Sequence, residues 1–133
     1  MKYYFDTSVW LAYFNKDEPY HKEALLWFDK IRKEKHELYI SALVDDEMRN
    51  KRPFREYLAL SRSLCKYVLF SEDIKKEAKS YSGPLGFDWK DIAHILIAKK
   101  NELTAVTIDM EHWMKIAREL NFWVLYIADI YLL

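Results

Sequence analysis

The sequence is poor in the residues that staple small secreted domains or build tight turns. Its 133 residues include one cysteine, two glycines and three prolines. The lone Cys65 cannot form an internal disulfide or a thiolate zinc site. Scarce glycine and proline argue against an all-β chain, because such chains need many tight turns. No apolar run reaches the roughly 18 residues of a membrane-spanning helix, so we expect no membrane segment.

The chain also lacks a net charge and a secretory signal. Lysine and arginine total 21, and aspartate and glutamate total 21, a balance that by itself argues against a nucleic-acid partner. The first residues, Met1 to Asp6, contain no apolar signal-peptide core, and a predicted strand begins at the first residue. We therefore expect a cytoplasmic protein.

The charges are, however, unevenly distributed. Such a local patch can bind phosphate groups even when the whole chain is neutral. A solvated helix face is an equally good interpretation of the same residues. The segment concerned, called the basic stretch below, runs from Met48 to Lys66 and contains Arg49, Lys51, Arg52, Arg55, Arg62 and Lys66 against Glu56 alone.

What the sequence does contain is enough apolar material for one ordered core. Apolar residues make up 51% of the chain, which excludes disorder, and the length favours a single domain over residues 1–133. Strands and helices are predicted to alternate, which indicates an α/β protein whose parallel sheet is covered on both faces. The predicted strands cover residues 1–5, 36–41, 67–70, 105–108 and 122–127, and the predicted helices cover 7–14, 18–35, 42–50, 53–65, 72–81, 88–100 and 111–120, with a loop at 82–86 and a short helical tail from 128.

Four acidic residues stand where such a fold collects its ligands. Asp6 and Asp109 each end an apolar run, and Glu47 and Asp91 each lie near the start of a predicted helix. Because the carboxyl ends of parallel strands open on one side of a sheet, we expect these side chains to share one pocket. Clustered carboxylates repel one another unless a cation lies among them, and oxygen ligands suit Mg²⁺ or Mn²⁺. The pattern therefore indicates phosphodiester chemistry.

Several of these residues also have a plain structural interpretation. Asp6 is as good a helix cap as a metal ligand, and Asp91 could support the N-terminus of the helix that Asp88 caps. His94 lies one turn beyond Asp91, and a histidine there is more often partly buried with its hydrogen bonds satisfied than a ligand.

Helical geometry distinguishes Glu47 from its acidic neighbours. Residues three and four apart share a helix face, so Glu47 faces the same way as Leu43. Asp45 and Asp46 are predicted to turn elsewhere. Glu47 is therefore the acid of this segment that we assign to the pocket.

Four short motifs, taken together, resemble those of PIN domains. Each motif is only modestly specific, but all four occur in the family's order and spacing and span nearly the whole chain. The similarity is greatest to the small stand-alone PIN proteins that act as toxins of the VapC type. The motifs are Asp6-Thr7-Ser8 after a strand, Ile40-Ser41-x5-Glu47, Asp91-x2-His94-x3-Ala98, and Thr107-x-Asp109-x3-Trp113.

The resemblance implies a three-layer α/β/α sandwich and a ribonuclease that depends on Mg²⁺ or Mn²⁺ and leaves 5′-phosphate and 3′-hydroxyl ends. An RNA substrate, a homodimer and an antitoxin protein as partner are implied as well. The catalytic and metal-binding acids would be Asp6, Glu47, Asp91 and Asp109, supported by Thr7, Ser8, Thr107 and His94, with Arg49, Lys51, Arg52 and Arg55 on the RNA backbone.

Two positions depart from the family pattern. Ile108 stands where the family often has asparagine, and His112 stands where an acid often follows the last aspartate. Glu111 comes one position earlier than that acid. The four principal acids are intact, and we expect a competent site.

The aromatic residues have two interpretations. Trp10 or Trp89 could stack on unpaired bases at the rim of the site. A larger group could form a dimer interface or simply fill the core. That group is Trp10, Tyr13, Phe14, Trp27 and Phe54.

Two other functions compete with the nuclease. One is a catalytically silent module on the same fold that binds RNA or protein. The other is a phospho-acceptor receiver domain, which uses adjacent acids after its first strand and a lysine after a late strand. The receiver ranks last, because Asp6 stands alone and no lysine lies near Asp109.

Overall fold

The structure, a computed structural model, describes residues 1–133 and contains five strands, seven α-helices and a 3₁₀ helix. Strands and helices alternate as predicted. The strands are β1 (Lys2–Phe5), β2 (Glu37–Ile40), β3 (Cys65–Tyr67), β4 (Thr104–Thr107) and β5 (Val124–Tyr126). The helices are α1 (Thr7–Phe14), α2 (His21–Lys33), α3 (Ala42–Met48), α4 (Phe54–Leu64), α5 (Glu72–Leu85), α6 (Trp89–Lys100) and α7 (Met110–Glu119), and the 3₁₀ helix covers Ile127–Leu132.

All five strands are parallel and lie in the order β3-β2-β1-β4-β5. The central strand β1 pairs with β2 on one side and β4 on the other, so that Tyr4 is in register with both Tyr39 and Ala105. The chain first adds β2 and β3 on one side of β1, and then crosses over to add β4 and β5 on the other side. This reversal creates a crevice at the carboxyl ends of β1 and β4, which is where open α/β sheets bind ligands.

Helices cover both faces of the sheet. Successive residues of a strand point to opposite faces, and Tyr3, Tyr4 and Phe5 of β1 are all at most 1% exposed. Tyr3 and Phe5 pack on Trp27 of α2, with ring centroids 5.5 and 5.9 Å apart, whereas Tyr4 faces His94 of α6. The predicted parallel α/β/α sandwich is confirmed.

Aspartates start three of the helices that follow or approach the crevice. The side chains of Asp6, Asp88 and Asp109 accept hydrogen bonds from backbone N–H groups in the first turns of α1, α6 and α7. Such caps satisfy N–H groups that have no partner within the helix. None of the helices combines the length and apolar character that crossing a bilayer requires.

The large aromatic residues mostly form the core. Trp10 is fully buried against Phe28 and Tyr57, and Trp27 is fully buried as well. Stacking of Trp10 on an RNA base, one of the predicted roles, is therefore wrong. Trp10 and Trp27 fill the core rather than an interface.

The third strand lies earlier in the chain than predicted. It covers Cys65–Tyr67 rather than residues 67–70, and it begins where α4 ends. Strand β2 ends at Ile40, which pairs with Tyr67, and the ladder closes with the bond from the Val68 N–H to the Ile40 carbonyl (2.9 Å). Leu69 is 75% exposed, so the apolar run that suggested a strand lies mostly beyond the sheet. Apart from the end of α5, the other boundaries differ from prediction by at most three residues.

The predicted loop at 82–86 is also wrong. Helix α5 continues to Leu85 and contains Pro84 in its last turn. The proline leaves the carbonyl of Ser80 without its helical donor, but Ser80 is exposed and water can replace the bond. Gly86 ends the helix with φ 74°, a left-handed conformation that glycine adopts without strain, and its N–H donates to the Ser82 carbonyl (2.8 Å).

Candidate active site

The first predicted acid, Asp6, lies at the carboxyl end of β1. Its backbone N–H donates to the Val106 carbonyl (3.2 Å), which continues the ladder toward β4. Its Oδ1 accepts from Ser8 Oγ (2.5 Å) and from the Val9 N–H (3.3 Å), and Oδ2 accepts from Thr107 Oγ1 (2.7 Å). Asp6 thus caps α1 and also belongs to the group of polar side chains at the crevice.

Burial sets the acidity of Asp6. The residue is 5% exposed, and the loss of hydration raises its pKa to about 6, although hydrogen bonds from Ser8, Thr107 and Val9 oppose the rise. A buried carboxylate of this kind is unfavourable at neutral pH unless a cation lies beside it.

The second acid, Glu47, reaches from α3 to two other elements. Its Oε1 accepts from Thr7 Oγ1 in α1 (2.7 Å) and from His94 Nε2 in α6 (2.5 Å). Burial alone would raise its pKa, but the hydrogen bond and charge of His94, with Thr7 and nearby Lys90, hold it below its usual range. Glu47 is therefore a fixed, ionised group.

The third acid, Asp91, lies in the first turn of α6 but does not cap that helix. The cap is Asp88, whose side chain accepts from the Lys90 N–H (2.9 Å). Asp91 has no hydrogen-bond or ion-pair partner within the protein. Burial raises its pKa, the charge of His94 opposes the rise, and the neighbouring acids Asp88, Asp109 and Glu47 add to it. Its oxygens are free for a ligand.

The fourth acid, Asp109, follows β4 and caps α7. Its Oδ1 accepts from the His112 N–H (3.4 Å), and Oδ2 lies 3.1 Å from Nδ1 of the same histidine. The Asp109 N–H donates to Thr107 Oγ1 (3.0 Å), the hydroxyl that also donates to Asp6. Thr107 therefore links the two acids that follow β1 and β4.

All four predicted acids line one cleft at the carboxyl edge of the sheet. The cleft, called the acidic cleft below, has a volume of about 530 Å³. Lys51 and Lys90 line it too, and neither lysine belongs to an ion pair. The remaining lining residues are Thr7, Ser8, Leu11, Asp46, Asn50, His94 and Trp113.

Sequence reasoning missed Lys90, Asn50 and His112 as neighbours of the acids. Single polar residues at helix ends carry no signal that separates a site from a solvated surface. The prediction that Asp46 turns away is wrong, because Asp46 lines the acidic cleft while its Oδ1 lies 3.1 Å from Arg49 Nη2. Adjacent helical residues differ by only about 100° in direction, and a wide cleft accommodates both.

The basic stretch divides into paired and unpaired cations. Of the four predicted RNA contacts, Lys51 alone lines the acidic cleft, and Arg49 is engaged with an acid. Arg52 lines an adjoining cleft of about 780 Å³ that shares Leu11 and Lys51 with the acidic cleft. Arg55 is exposed on α4.

Two rim residues have surroundings that bear on their predicted roles. Trp89 is half-buried and stacks against Phe70, with Lys75 and Lys79 ammonium groups 5.7 and 5.1 Å from its ring centroid. Glu111 does not line the acidic cleft and lies 4.0 Å from Lys115.

The donor atoms of the acidic cleft suit a hard divalent cation, within one geometric limit. No three acidic, imidazole or thiol groups lie close enough together to bind one ion jointly. Mg²⁺ does not require such a cage, because it keeps several waters and is usually held through one or two carboxylates. The buried charge of Asp6 and the repulsion at Asp91 both favour a cation in this cleft. The residues present therefore fit a hydrated divalent ion.

Comparison with known proteins gives a family match and a fold match. The family model described as PIN domain matches residues 3–119. No curated protein matches the chain. Among solved structures, VapBC2 from Rickettsia felis bound to a DNA fragment from their promoter is 17% identical with a TM-score of 0.66, and the match covers 95% of this chain and 98% of that chain.

Two further solved structures are similar to the same extent. FitAcB from Neisseria gonorrhoeae is 19% identical with a TM-score of 0.64, and the match covers 96% of this chain and 99% of that one. FitAB bound to an IR36 DNA fragment is 20% identical with a TM-score of 0.63, covering 96% and 95%. At these identities the likeness concerns the fold alone.

Proposed function

The chain belongs to the PIN domain family, and from that premise we propose that it is a Mg²⁺- or Mn²⁺-dependent endoribonuclease. The observation that carries the proposal is the acidic cleft, in which four acids drawn from positions 6 to 109 lie together with two unpaired lysines. Both kinds of group suit the hydrolysis of a phosphodiester, because acids hold cations and lysines bind phosphate oxygens.

The surroundings of each acidic side chain in the cleft determine the role that we propose for it. When bound, a divalent ion supplies Lewis-acid chemistry, lowering the pKa of a water and stabilising negative charge on the phosphate. Asp6 and Asp109, joined through Thr107, and the fixed Glu47 would hold the ion directly or through water. Asp91, which has no partner within the protein, can also accept a proton from the attacking water.

The lysines of the cleft would bind the RNA backbone. Lys51 follows α3 and Lys90 lies in the first turn of α6, so the two approach the acids from different elements. Backbone contacts of this kind attract RNA of any sequence. Arg52, in the adjoining cleft, extends the same positive surface. The products would carry 5′-phosphate and 3′-hydroxyl ends.

We also propose that the protein is the toxin of a toxin–antitoxin pair and forms a homodimer. The similar structures are VapBC2 and FitAB proteins bound to DNA fragments, which supports a partner of the antitoxin type. Tyr13, Phe14 and Phe54, which are half-buried beside the core, offer apolar surface for the dimer.

The experiment is cleavage of generic single-stranded RNA by the purified protein with Mn²⁺ and, separately, with EDTA. We expect cleavage that requires the metal. Asp91→Asn, purified in the same way, should be inactive and so exclude a contaminating nuclease. Glu111→Gln is the matched control, because Glu111 lies outside the acidic cleft, and this variant should cleave normally.

Two results would contradict the proposal. A folded protein that does not cleave RNA with Mn²⁺ would be the silent binding module instead. Undiminished cleavage in EDTA would show that the acids do not act through a metal.

A further inference from the structure

We propose that His94 is a positioning residue for Glu47, held in place by a buried chain of hydrogen bonds that runs back through Tyr4 to Ser41. The inference rests on the proposed function, because it assigns to Glu47 a metal ligand's need for a fixed orientation. Tyr4, Ser41 and His94 of this hydrogen-bond network are all buried.

The network joins three elements of the fold, β1, α3 and α6. Ser41 Oγ lies 2.9 Å from the Tyr4 hydroxyl, which lies 2.7 Å from His94 Nδ1. His94 Nε2 lies 2.5 Å from Glu47 Oε1. Tyr4, Ser41 and His94 are at most 2% exposed, so water does not compete for these bonds.

The carboxylate fixes the direction of its own hydrogen bond. Glu47 can only accept, so Nε2–H of His94 is the donor. The other ring nitrogen, Nδ1, is paired with the Tyr4 hydroxyl, and that hydroxyl is paired with Ser41 Oγ. Burial raises the pKa of Tyr4, so its hydroxyl keeps its proton. Both hydroxyls and both ring nitrogens of the network have a partner.

Packing locks the imidazole in this orientation. The ring stacks on Trp113, with centroids 5.8 Å apart and planes 26° apart, and its other neighbour is the ring of Tyr4 at 5.8 Å. Both ring nitrogens are occupied by hydrogen bonds. His94 therefore has no free nitrogen for a metal and acts on the site through Glu47.

The side chain of Ser41 takes part in the network instead of capping its own helix. It stands at the N-cap of α3, the position at which serine side chains usually accept from the backbone of their own helix. In this protein the Ser41 side chain makes no capping bond and lies instead against Tyr4. The two ends of the network thus lie on the same helix, Ser41 at its start and Glu47 near its end.

Glu47 needs such support more than the other three acids do. Its side chain is longer than that of an aspartate, and it lies on a helix of only seven residues. Thr7 and His94 both bond Oε1, which leaves Oε2 free for an ion. Residues that orient metal ligands in this way commonly change metal affinity or activity about 10- to 100-fold when they are replaced.

The test compares two amides at position 94. The terminal nitrogen of glutamine can occupy the place of Nε2, whereas asparagine is shorter and reaches only the place of Nδ1. We expect His94→Asn to weaken Mn²⁺ binding about 10- to 100-fold, and His94→Gln to restore the affinity to within about threefold of the parent. Mn²⁺ affinity is measured by calorimetry without RNA, and thermal melts in EDTA report folding.

Kinetics on RNA supply a second readout. His94→Asn should lower kcat while KM for RNA stays unchanged, because His94 lies behind Glu47 and does not reach the substrate. Tyr4→Phe, which leaves the bond from His94 to Glu47 in place, should have a smaller effect of the same kind. If His94→Asn does not fold, Tyr4→Phe decides the question, and its effect on Mn²⁺ affinity should be several-fold.

Each remaining outcome separates the inference from the proposed function. If the parent binds Mn²⁺ but does not cleave RNA, the proposed function fails while the affinities still decide the role of His94. Equal Mn²⁺ affinity in the parent, His94→Asn and Tyr4→Phe would overturn the inference, as would a parent that binds no Mn²⁺. An equal loss in His94→Gln and His94→Asn would also overturn it.

Discussion

Asp45 of α3 and two acids of the acidic cleft, Asp6 and Asp91, lie in very different surroundings. Asp45 accepts from the hydroxyls of Tyr57 (2.5 Å) and Tyr67 (2.5 Å) and from Arg62 Nη2 (3.0 Å), and its side chain is 15% exposed. Burial alone would raise its pKa, but these hydrogen bonds and the charge of Arg62 hold the pKa below its usual range. This Asp45 cluster ties α3 to α4 and β3.

The acidic cleft presents the opposite condition. Asp6 and Asp91 have raised pKa values, and Asp91 has no partner at all. A group of acids that destabilises itself persists in a fold when something outside the chain compensates for it. Asp45 stabilises the fold through its partners, whereas Asp6 and Asp91 are unfavourable in the absence of a ligand. Each prediction below tests this difference.

The largest expected effect is on RNA cleavage. The experiment removes one negative charge from the acidic cleft and, separately, one from the Asp45 cluster. Asp6→Asn should lower RNA cleavage at least about a thousandfold, because a Lewis-acid ion supplies several kcal/mol of transition-state stabilisation. Asn keeps an oxygen for the α1 cap, and the Thr107 hydroxyl can reverse to accept from the new amide. Thermal melts in EDTA should therefore show Asp6→Asn at least as stable as the parent.

Asp45→Asn is the matched control for that experiment. It removes the same charge outside the acidic cleft, and the folded variant should retain its cleavage activity. Retained activity in Asp6→Asn, or an equal loss in both variants, would contradict the separation of the two groups.

The two aspartates should also make stability depend on pH with opposite signs. The folded pKa of Asp6, about 6, lies above the ordinary value for aspartate, so its contribution is full at low pH and is lost as pH rises through about 4 to 6. The shift corresponds to at most about 3 kcal/mol. The folded pKa of Asp45 is lowered, so its contribution is present at neutral pH and is lost as pH falls below about 4.

The measurement is urea denaturation in EDTA across this pH range. Relative to the parent, Asp6→Asn should gain stability as pH rises, and Asp45→Asn should become less destabilising as pH falls below about 4. Parallel curves for the parent and either variant would show that the replaced group has no shifted pKa.

Removing the Asp45 side chain should lower the free energy of unfolding, an effect smaller than those above. Asp45→Ala leaves the buried Tyr57 hydroxyl without a partner, which should lower the free energy of unfolding by about 2 kcal/mol. Asp46→Ala is the control, because the exposed Asp46–Arg49 pair should contribute less than about 1 kcal/mol. Urea denaturation at neutral pH compares them, and equal losses would contradict a special role for the Asp45 cluster.

Much of the fold could be predicted because its signals are local. Asp6, Asp88 and Asp109 mark helix starts through their own hydrogen bonds to the backbone. The errors occurred where tertiary structure decides. Pro84 is tolerated in α5 because the carbonyl it leaves unbonded is exposed, and β3 ends early because Ile40 ends its neighbour.

The residues of the acidic cleft could be predicted in part. Asp6 and Asp109 follow strands and Asp91 lies in the first turn of a helix, and the topology brings those positions to one edge. Glu47 lies near the end of α3, not near a helix start as predicted, and its helix face and the family resemblance are what pointed to it.

The hydrogen-bond network that holds Glu47 could not be predicted. Tyr4 lies in a buried strand, and its position in the sequence predicts a core aromatic residue. Its hydrogen bonds to Ser41 and His94 span 37 and 90 residues. No sequence pattern links such positions.

The smallest predicted effect concerns cations and separates paired from unpaired residues of the basic stretch. Lys51 lines the acidic cleft without an ion-pair partner, whereas Arg49 is engaged with Asp46. If Lys51 binds a phosphate of single-stranded RNA, Lys51→Ala should reduce the slope of log affinity against log salt concentration by about 0.7. Lys90→Ala should do the same, and Arg49→Ala should leave the slope nearly unchanged.

Binding is measured in EDTA, which prevents cleavage, at several salt concentrations and with two unrelated RNA sequences. Loss of a phosphate contact weakens binding to both sequences alike, because the backbone carries no sequence information. Arg52→Ala, in the adjoining cleft, and Arg55→Ala, on the exposed face of α4, then show how far the RNA path extends from the acids. A slope that falls as much in Arg49→Ala as in Lys51→Ala would place the RNA on the outer face of α3. Slopes unchanged in every variant would leave the basic stretch as a solvated helix face.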